Sequence, residues 1–245
     1  MEKHCLNCGN IIHDQYCACC GQKAATGRLD IHFLWHEIQH SVIHIDKGIL
    51  YTARELCIRP GHTVREFIEG KRIKHFRPLM FLFVLAGLYG FLHHYFNINT
   101  VRLVPAAGYE KVNDWVVTHY AIVELINLPV YSLATWLAFR KWNYNYIEHV
   151  VLNAFVTGQR IILNLLMLPL LYYFNGSPKV NTVTAVASAI GFAITCFDYA
   201  QFFKGHPLRY TILRIVLAYL YFFSVIILIA IVVVIGGAIL GIKYS

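Results

Sequence analysis

Five long apolar runs constrain this chain more than any other feature. They lie at about 78–95, 120–139, 146–174, 180–203 and 212–242. About 20 residues of helix span a hydrocarbon core of about 30 Å, so each run is long enough to cross a bilayer. The third and fifth exceed that minimum, which predicts tilt or extension past the lipid. Only 14% of the 245 residues are charged, against about 25% in a soluble domain. Lipid is therefore the expected solvent for most of the surface, and an all-α bundle the expected architecture.

Basic residues flanking the runs set the expected orientation. One side holds Lys71, Arg72, Lys74, Arg77, Arg140, Lys141, Lys204 and Arg209, and the other only Arg102, Lys111, Lys179 and Lys243. The bias places the N-terminus in the cytoplasm and, with five spans, the C-terminus outside. The opening "MEKHCLNCGN" has no apolar stretch of the signal-peptide kind. The net charge of +8 fits cytoplasmic loops and anionic lipid. No basic run is interleaved with aromatics, so nucleic acid is not an expected partner.

Five of the seven cysteines fall within the first twenty residues. Cys5-x2-Cys8 and Cys17-x2-Cys20 are each followed by glycine, making two knuckles. Zinc prefers four tetrahedral thiolates, and a C-x-x-C turn supplies two from one tight loop. The pair predicts a short ribbon with a structural zinc, because protein would fill all four positions. Cys19 is surplus. It could take the place of Cys20, although Gly21 argues for Cys20. A redox C-x-x-C would need a thioredoxin-like unit that the sequence lacks.

"HEIQH" at 36–40 matches H-E-x-x-H, in which two helical histidines hold zinc and the glutamate activates water. Asp30 is the expected N-cap of this helix. Ile31, Leu34, Trp35, Ile38, Val42 and Ile45 form one apolar face, and His32, His36, His40 and His44 a stripe roughly opposite. A zinc protease needs its histidines facing a buried cleft, with a third ligand brought in by the fold. His44 and Asp46 are the nearest candidates. Only about fifty residues separate the head from the first span, too few for a soluble protease domain. The polar side of an interfacial helix is the reading favoured over catalysis by His36, Glu37 and His40.

The stretch 48–77 continues the amphipathic pattern. Ile49, Leu50, Ala53, Leu56 and Cys57 share a face, and Pro60-Gly61 ends that helix. Thr63-x-x-Glu66 reads as a capping box opening a short helix that Gly70 closes. Lys71, Arg72, Lys74 and Arg77 precede the first span, where anionic headgroups attract basic residues at about 1 kcal/mol each.

With Cys20-Gly21-Gln22 come His44, Asp46-Lys47-Gly48, Thr52, Arg59-Pro60-Gly61, Glu69-Gly70-Lys71-Arg72 and Pro78. In this order they resemble an uncharacterised bacterial family of membrane proteins with an N-terminal zinc ribbon, a domain of unknown function. The resemblance covers about the first 80 residues and reaches the spans only in hydropathy. It implies a multi-pass protein of the bacterial inner membrane and supplies no activity. The H-E-x-x-H is not part of the family's pattern.

Inside the spans, ionisable residues are functional candidates because burying each costs at least about 2.5–3.5 kcal/mol. His149, Asn153, Thr157, Arg160 and Asn164 form one polar stripe on the third span, expected to face the bundle interior. Counting helical rise puts Arg160 about 20 Å and Glu124 about 24 Å from the cytoplasmic face, which predicts that they pair. Asp198 lies near the depth of Glu148, His149 and Arg214, suggesting a second polar cluster. Pro129 and Pro169 are expected to kink their helices.

The expected fold is thus an all-α membrane protein of about five transmembrane helices. A zinc ribbon (1–27) and an amphipathic basic collar (28–77) precede the transmembrane bundle (78–245). The leading expectation for function is a non-enzymatic scaffold or adaptor handling a lipid, a small molecule or a protein partner of the ribbon. The alternatives are a transporter or channel using the polar stripe, and a membrane metalloprotease at HEIQH. Gly237-x-x-x-Gly241 admits a homo-oligomer.

Overall fold

The computed structural model describes residues 3–40, 48–98 and 115–239, with side chains omitted at 36–40, 230 and 233–239. Among the described residues the bounded helices are, in order, α1 (Ile31–His40), α2 (Gly48–Ile58), α3 (Pro60–Ile68), α4 (Pro78–Tyr95), α5 (Tyr120–Phe139), α6 (Tyr146–Tyr173), α7 (Lys179–Phe202) and α8 (Leu208–Ile239). A 3₁₀ turn, Arg140–Trp142, leaves α5. Among the described residues there is no strand, only two isolated bridges in the cysteine head. Helices α4 to α8 are each long and apolar enough to cross a membrane.

Four of the five expected boundaries agree within a residue. The last helix starts four residues early, at Leu208, directly after Pro207. Arg209 and Thr211 lower the hydropathy of that first turn without opposing helix formation, so hydropathy placed the start too late.

Helix α6 is the hub and packs on α2, α3, α4, α5 and α7. Every residue from Glu148 to Gln159 is buried. A helix enclosed on all sides belongs to a core. The enclosing layer includes Phe81 and Leu82 of α4, Phe139 of α5 and Phe202 of α7. A capping box starts the hub: Asn145 accepts from the Glu148 backbone N–H at 2.8 Å, and Glu148 accepts from the Asn145 N–H at 2.7 Å. That Asn-x-x-Glu signature is legible in the sequence.

The outer surface is apolar. Phe91, Ile126, Leu166 and Leu220 are each at least 60% exposed. A surface of this kind is stable in hydrocarbon and aggregates in water.

The collar reaches further inward than its amphipathic pattern implies. α3 buries Pro60, Gly61, Thr63, Val64, Phe67 and Ile68 and packs on α6 and α7. A Cβ at Gly61 would lie 2.4 Å from the Phe202 nitrogen and 2.5 Å from the Asp198 carbonyl oxygen, so only glycine allows this crossing. Arg65 donates to the carbonyls of Gln201 and Phe202, closing the C-terminal end of α7.

Three local expectations are corrected. Thr63 does not cap a helix; it sits inside α3, which opens at Pro60, and its hydroxyl donates back to the Arg59 carbonyl at 2.9 Å. Proline at the first position needs no N–H partner, so α3 starts there instead. Leu50, 77% exposed, and Cys57 face outward, while Thr52 is fully buried and accepts from the Phe76 N–H at 2.7 Å. Ile31 and Trp35 of α1 also face outward, and Phe33 and Leu34 pack on the core. Asp30 caps α1 as expected, accepting from the Phe33 N–H at 2.9 Å.

Candidate metal centre and intramembrane cleft

The head is one hairpin built twice, the second copy offset by twelve positions, from Cys5 to Cys17. Cys5 N–H donates to Asn10 O, and Cys17 N–H to Gln22 O. Gly9 N–H donates to Cys5 O, and Gly21 N–H to Cys17 O. Ile12 N–H reaches Lys3 O, and Ala24 N–H reaches Gln15 O. Gly9 and Gly21 hold φ of +79° and +76°, which explains a glycine after each C-x-x-C. No fixed-period repeat was legible in the sequence, because the two hairpins share hydrogen bonds and few side chains beyond Cys and Gly.

The hairpins bring four sulfurs together. Cys5, Cys8, Cys17 and Cys20 place their Sγ atoms within 4.8 Å of one another. Cys5 Sγ lies 3.6 Å from Cys20 Sγ, and Cys8 Sγ 3.5 Å from Cys17 Sγ. Four sulfurs bound tetrahedrally at about 2.3 Å would stand about 3.8 Å apart. The spacing fits a metal ion. Cys19 is exposed and stands outside the group, so Cys20 fills the fourth position.

Backbone N–H of Gln22 and the Asn7 side chain hold the Cys20 thiol down at about 6. Backbone N–H groups of Cys20 and Cys19 lower Cys17 as well. Against the pull of the Asn10 backbone, desolvation and the neighbouring thiols push Cys8 up to about 12. The Cys17 and Cys20 thiols are thus held low and Cys8 high, and a cation bound among the sulfurs would favour the thiolate form.

The head is bonded to the helices. Gln22, buried, donates to Gly70 O at 2.8 Å and accepts from Arg72 N–H at 3.1 Å. Arg28 donates to both oxygens of Glu148, at 2.8 and 2.9 Å, and to Asn143 O. Arg72, which the sequence assigned to headgroups, donates to Phe67 O and Gly27 O and lies over the Phe33 and Phe67 rings. Lys71 pairs with Glu66 at 3.1 Å. Lys74 and Arg77 are exposed. His36, Glu37 and His40 belong to α1, but their side chains lie outside the described residues, as do His44 and Asp46. Gly241 lies outside them too.

The polar stripe of α6 turns inward. His149, Asn153 and Thr157 are buried, and Arg160 and Asn164 half-buried. Asn153, Thr157 and Arg160 line a narrow cleft of about 50 Å³ between α5, α6, α7 and α8. Its floor is a closed network. Asn153 donates to Thr135 Oγ1 at 2.9 Å and to His149 O, and accepts from the Tyr199 hydroxyl at 2.6 Å. The Thr135 hydroxyl in turn donates a hydrogen bond to Ser132 O at 3.1 Å.

Arg160 and Glu124 are within electrostatic range of each other, and no ion pair joins them among the described residues. Glu124 is buried with Tyr120 beside it, and its Oε2 has no hydrogen-bond partner. The residues expected to form a second cluster are dispersed. Glu148 goes to Arg28, and Arg214 donates to Ala138 O and lies over Trp142. His149 sits among the rings of Phe139 and Phe203 with neither nitrogen bonded. Asp198 is 1% exposed with Gln159 beside it and neither oxygen hydrogen-bonded. Depth alone brought these residues to one level, and each faces a different neighbour.

One family matches. A family model described as "Protein of unknown function (DUF3667)" covers residues 46–90. That match spans the collar helices α2 and α3 and most of α4, the segment that holds Gly61, Arg65 and the residues bonded to Gln22. No curated protein and no solved structure matches the chain.

Proposed function

We propose that this is a multi-pass protein of the bacterial inner membrane whose cytoplasmic head is a zinc ribbon, and that it works as a non-enzymatic scaffold or adaptor. The arrangement of the four thiols carries this reading. Protein supplies all four ligands, leaving no open position for a substrate or water, so a bound ion would hold structure and not catalyse. A tetrahedral all-sulfur set suits zinc, and also iron, so the ion must be measured. The head is clamped to the collar by Gln22 and to the hub helix by Arg28. A folded head would therefore fix the collar against the bundle and offer its outer surface to a protein partner. Lys74 and Arg77, exposed beside the first span, are the basic residues best placed for anionic headgroups.

Elemental analysis of the purified full chain tests the metal. The reading expects about one zinc per chain, lost in a Cys5→Ser, Cys17→Ser double variant. Purified protein that keeps its head folded without any metal would defeat it.

A second reading, transport of a small solute, is supported by one observation: the stripe of α6 borders a cleft. Solute uptake into vesicles containing the protein would favour it over a scaffold.

A further inference from the structure

We propose that the cleft beside Arg160 binds the anionic end, carboxylate or phosphate, of a ligand with an apolar body. The proposal rests on the bundle lying in a membrane.

The polar groups around the cleft divide into two sets. Asn153, Thr135 and Tyr199 satisfy one another and form the floor. Arg160, Tyr131, Thr157 and Tyr219 line the same space; Arg160 reaches the Tyr131 oxygen, and among the described residues the hydroxyls of Tyr131, Thr157 and Tyr219 donate to no protein acceptor. Tyr131 stands beside the guanidinium. Three hydroxyls therefore converge with the guanidinium on one space, and the guanidinium has more N–H groups than the Tyr131 oxygen can take up. The stem of Arg160 lies against Gly191 of α7, which holds the side chain between the two helices.

An anion seated on the guanidinium would add contact to the distant compensation that Glu124 supplies. A guanidinium at membrane depth is among the most costly groups to leave uncompensated. Glu124 reduces that cost only from a distance, because it does not line the cleft and makes no ion pair with Arg160. Arginine presents a planar fork of N–H groups that matches a carboxylate or phosphate in two parallel bonds. Hydroxyls of Tyr131, Thr157 and Tyr219 suit the remaining lone pairs of such a group. Ile215 and Phe222 give the rest of the cleft an apolar wall. A free anion would leave that wall uncovered, whereas an amphiphilic acid fills both parts.

The test uses full-length protein in a neutral maltoside detergent, with 11-(dansylamino)undecanoate as a fluorescent probe. The wild type is expected to give a saturable fluorescence rise. Arg160→Gln should weaken it at least about tenfold, which is about 1.4 kcal/mol. Arg160→Lys should fall between the two, since an ammonium keeps the charge and loses the fork. Tyr131→Phe gives a milder loss and covers the case in which Arg160→Gln fails to fold. Inorganic phosphate distinguishes the sources: competition at millimolar concentration identifies a free anion, and its absence identifies a lipid-like acid. Unchanged probe binding in folded Arg160→Gln would overturn the site. So would a wild type that binds neither the probe nor phosphate. Release of the protein from membranes by alkaline carbonate would defeat the membrane placement separately, whatever the probe does.

Discussion

The Arg28 guanidinium grips both carboxylate oxygens of Glu148, a residue 120 positions later in the chain. The two partners are unequal: the Arg28 side chain is 62% exposed and that of Glu148 only 4%. Glu148 is also half of the capping box that starts the hub helix. Arg28→Ala leaves the buried carboxylate with fewer donors, a loss expected to cost about 1–3 kcal/mol. Thermal unfolding should shift down, and proteases should cut more readily between the head and α1. An unchanged melting point and cleavage pattern would show that the head is held without this pair.

Gly61 is predicted to reject any side chain. Phe202 N and the Asp198 carbonyl are backbone atoms and cannot move aside as a flexible side chain can. Gly61→Ala should separate α3 from α7 and cost about 1–3 kcal/mol, as overpacking does. Gly87→Ala is the control, because a Cβ there meets nothing within 4 Å and alanine favours the helix. Equal melting points for the two variants would contradict the close crossing.

His75 predicts a pH dependence. Burial holds it below its ordinary value of 6.5, and its Nδ1 is buried without a partner beside Tyr51 and Phe67. The unfolded chain takes up this proton before the folded one does. The stability contribution is therefore complete above the unfolded value and is lost as pH falls below it. Glu66 is also held low: burial opposes this, and the Lys71 and Arg59 charges outweigh it. Its contribution falls away only in a more acid window, below 4.5. Melting temperature is expected to drop between about pH 7 and pH 5, and His75→Phe should flatten that slope. A slope that survives the substitution would assign it to another group.

The sequence made some of this legible and concealed the rest for physical reasons. Span limits were readable because hydrocarbon and protein core both demand apolar residues. The same fact hid which face points inward. Trp35 and Leu50 lie on apolar faces and turn outward, while polar Thr52 turns in. Periodicity identifies residues that share a side of a helix and says nothing of what covers that side. Cysteine spacing located the four thiols because the two pairs are local. Gln22 and Arg28 were not recognisable, since their partners lie 48 and 120 residues away. The inward stripe of α6 was readable from spacings of three and four. Its expected partner Glu124 was assigned from depth alone, and depth does not fix the direction in which a side chain points.

Metal removal should act on the head first. Cys5 and Cys17 are the buried pair of the four, so their loss removes packing as well as ligands. With a strong chelator the first 27 residues are expected to become protease-sensitive. The helical circular dichroism signal of the bundle should change little, because the hub is enclosed by other helices. A bundle that unfolds on chelation would make the head essential to it.

The central claim is that the head sits at one end of a bundle that crosses the membrane. Arg28 bonds Asn143 O, Arg65 bonds the Phe202 carbonyl, and Trp142 stacks on His206 at 3.8 Å, so the head and the turns at 140–145 and 203–207 share one side. Biotin-acceptor peptides placed at the N-terminus, at Gly205 and at Gly176, in cells whose biotin ligase is cytoplasmic, test this directly. The account predicts labelling at the N-terminus and Gly205 and none at Gly176. Labelling at Gly176, or at only one of the first two sites, would contradict it.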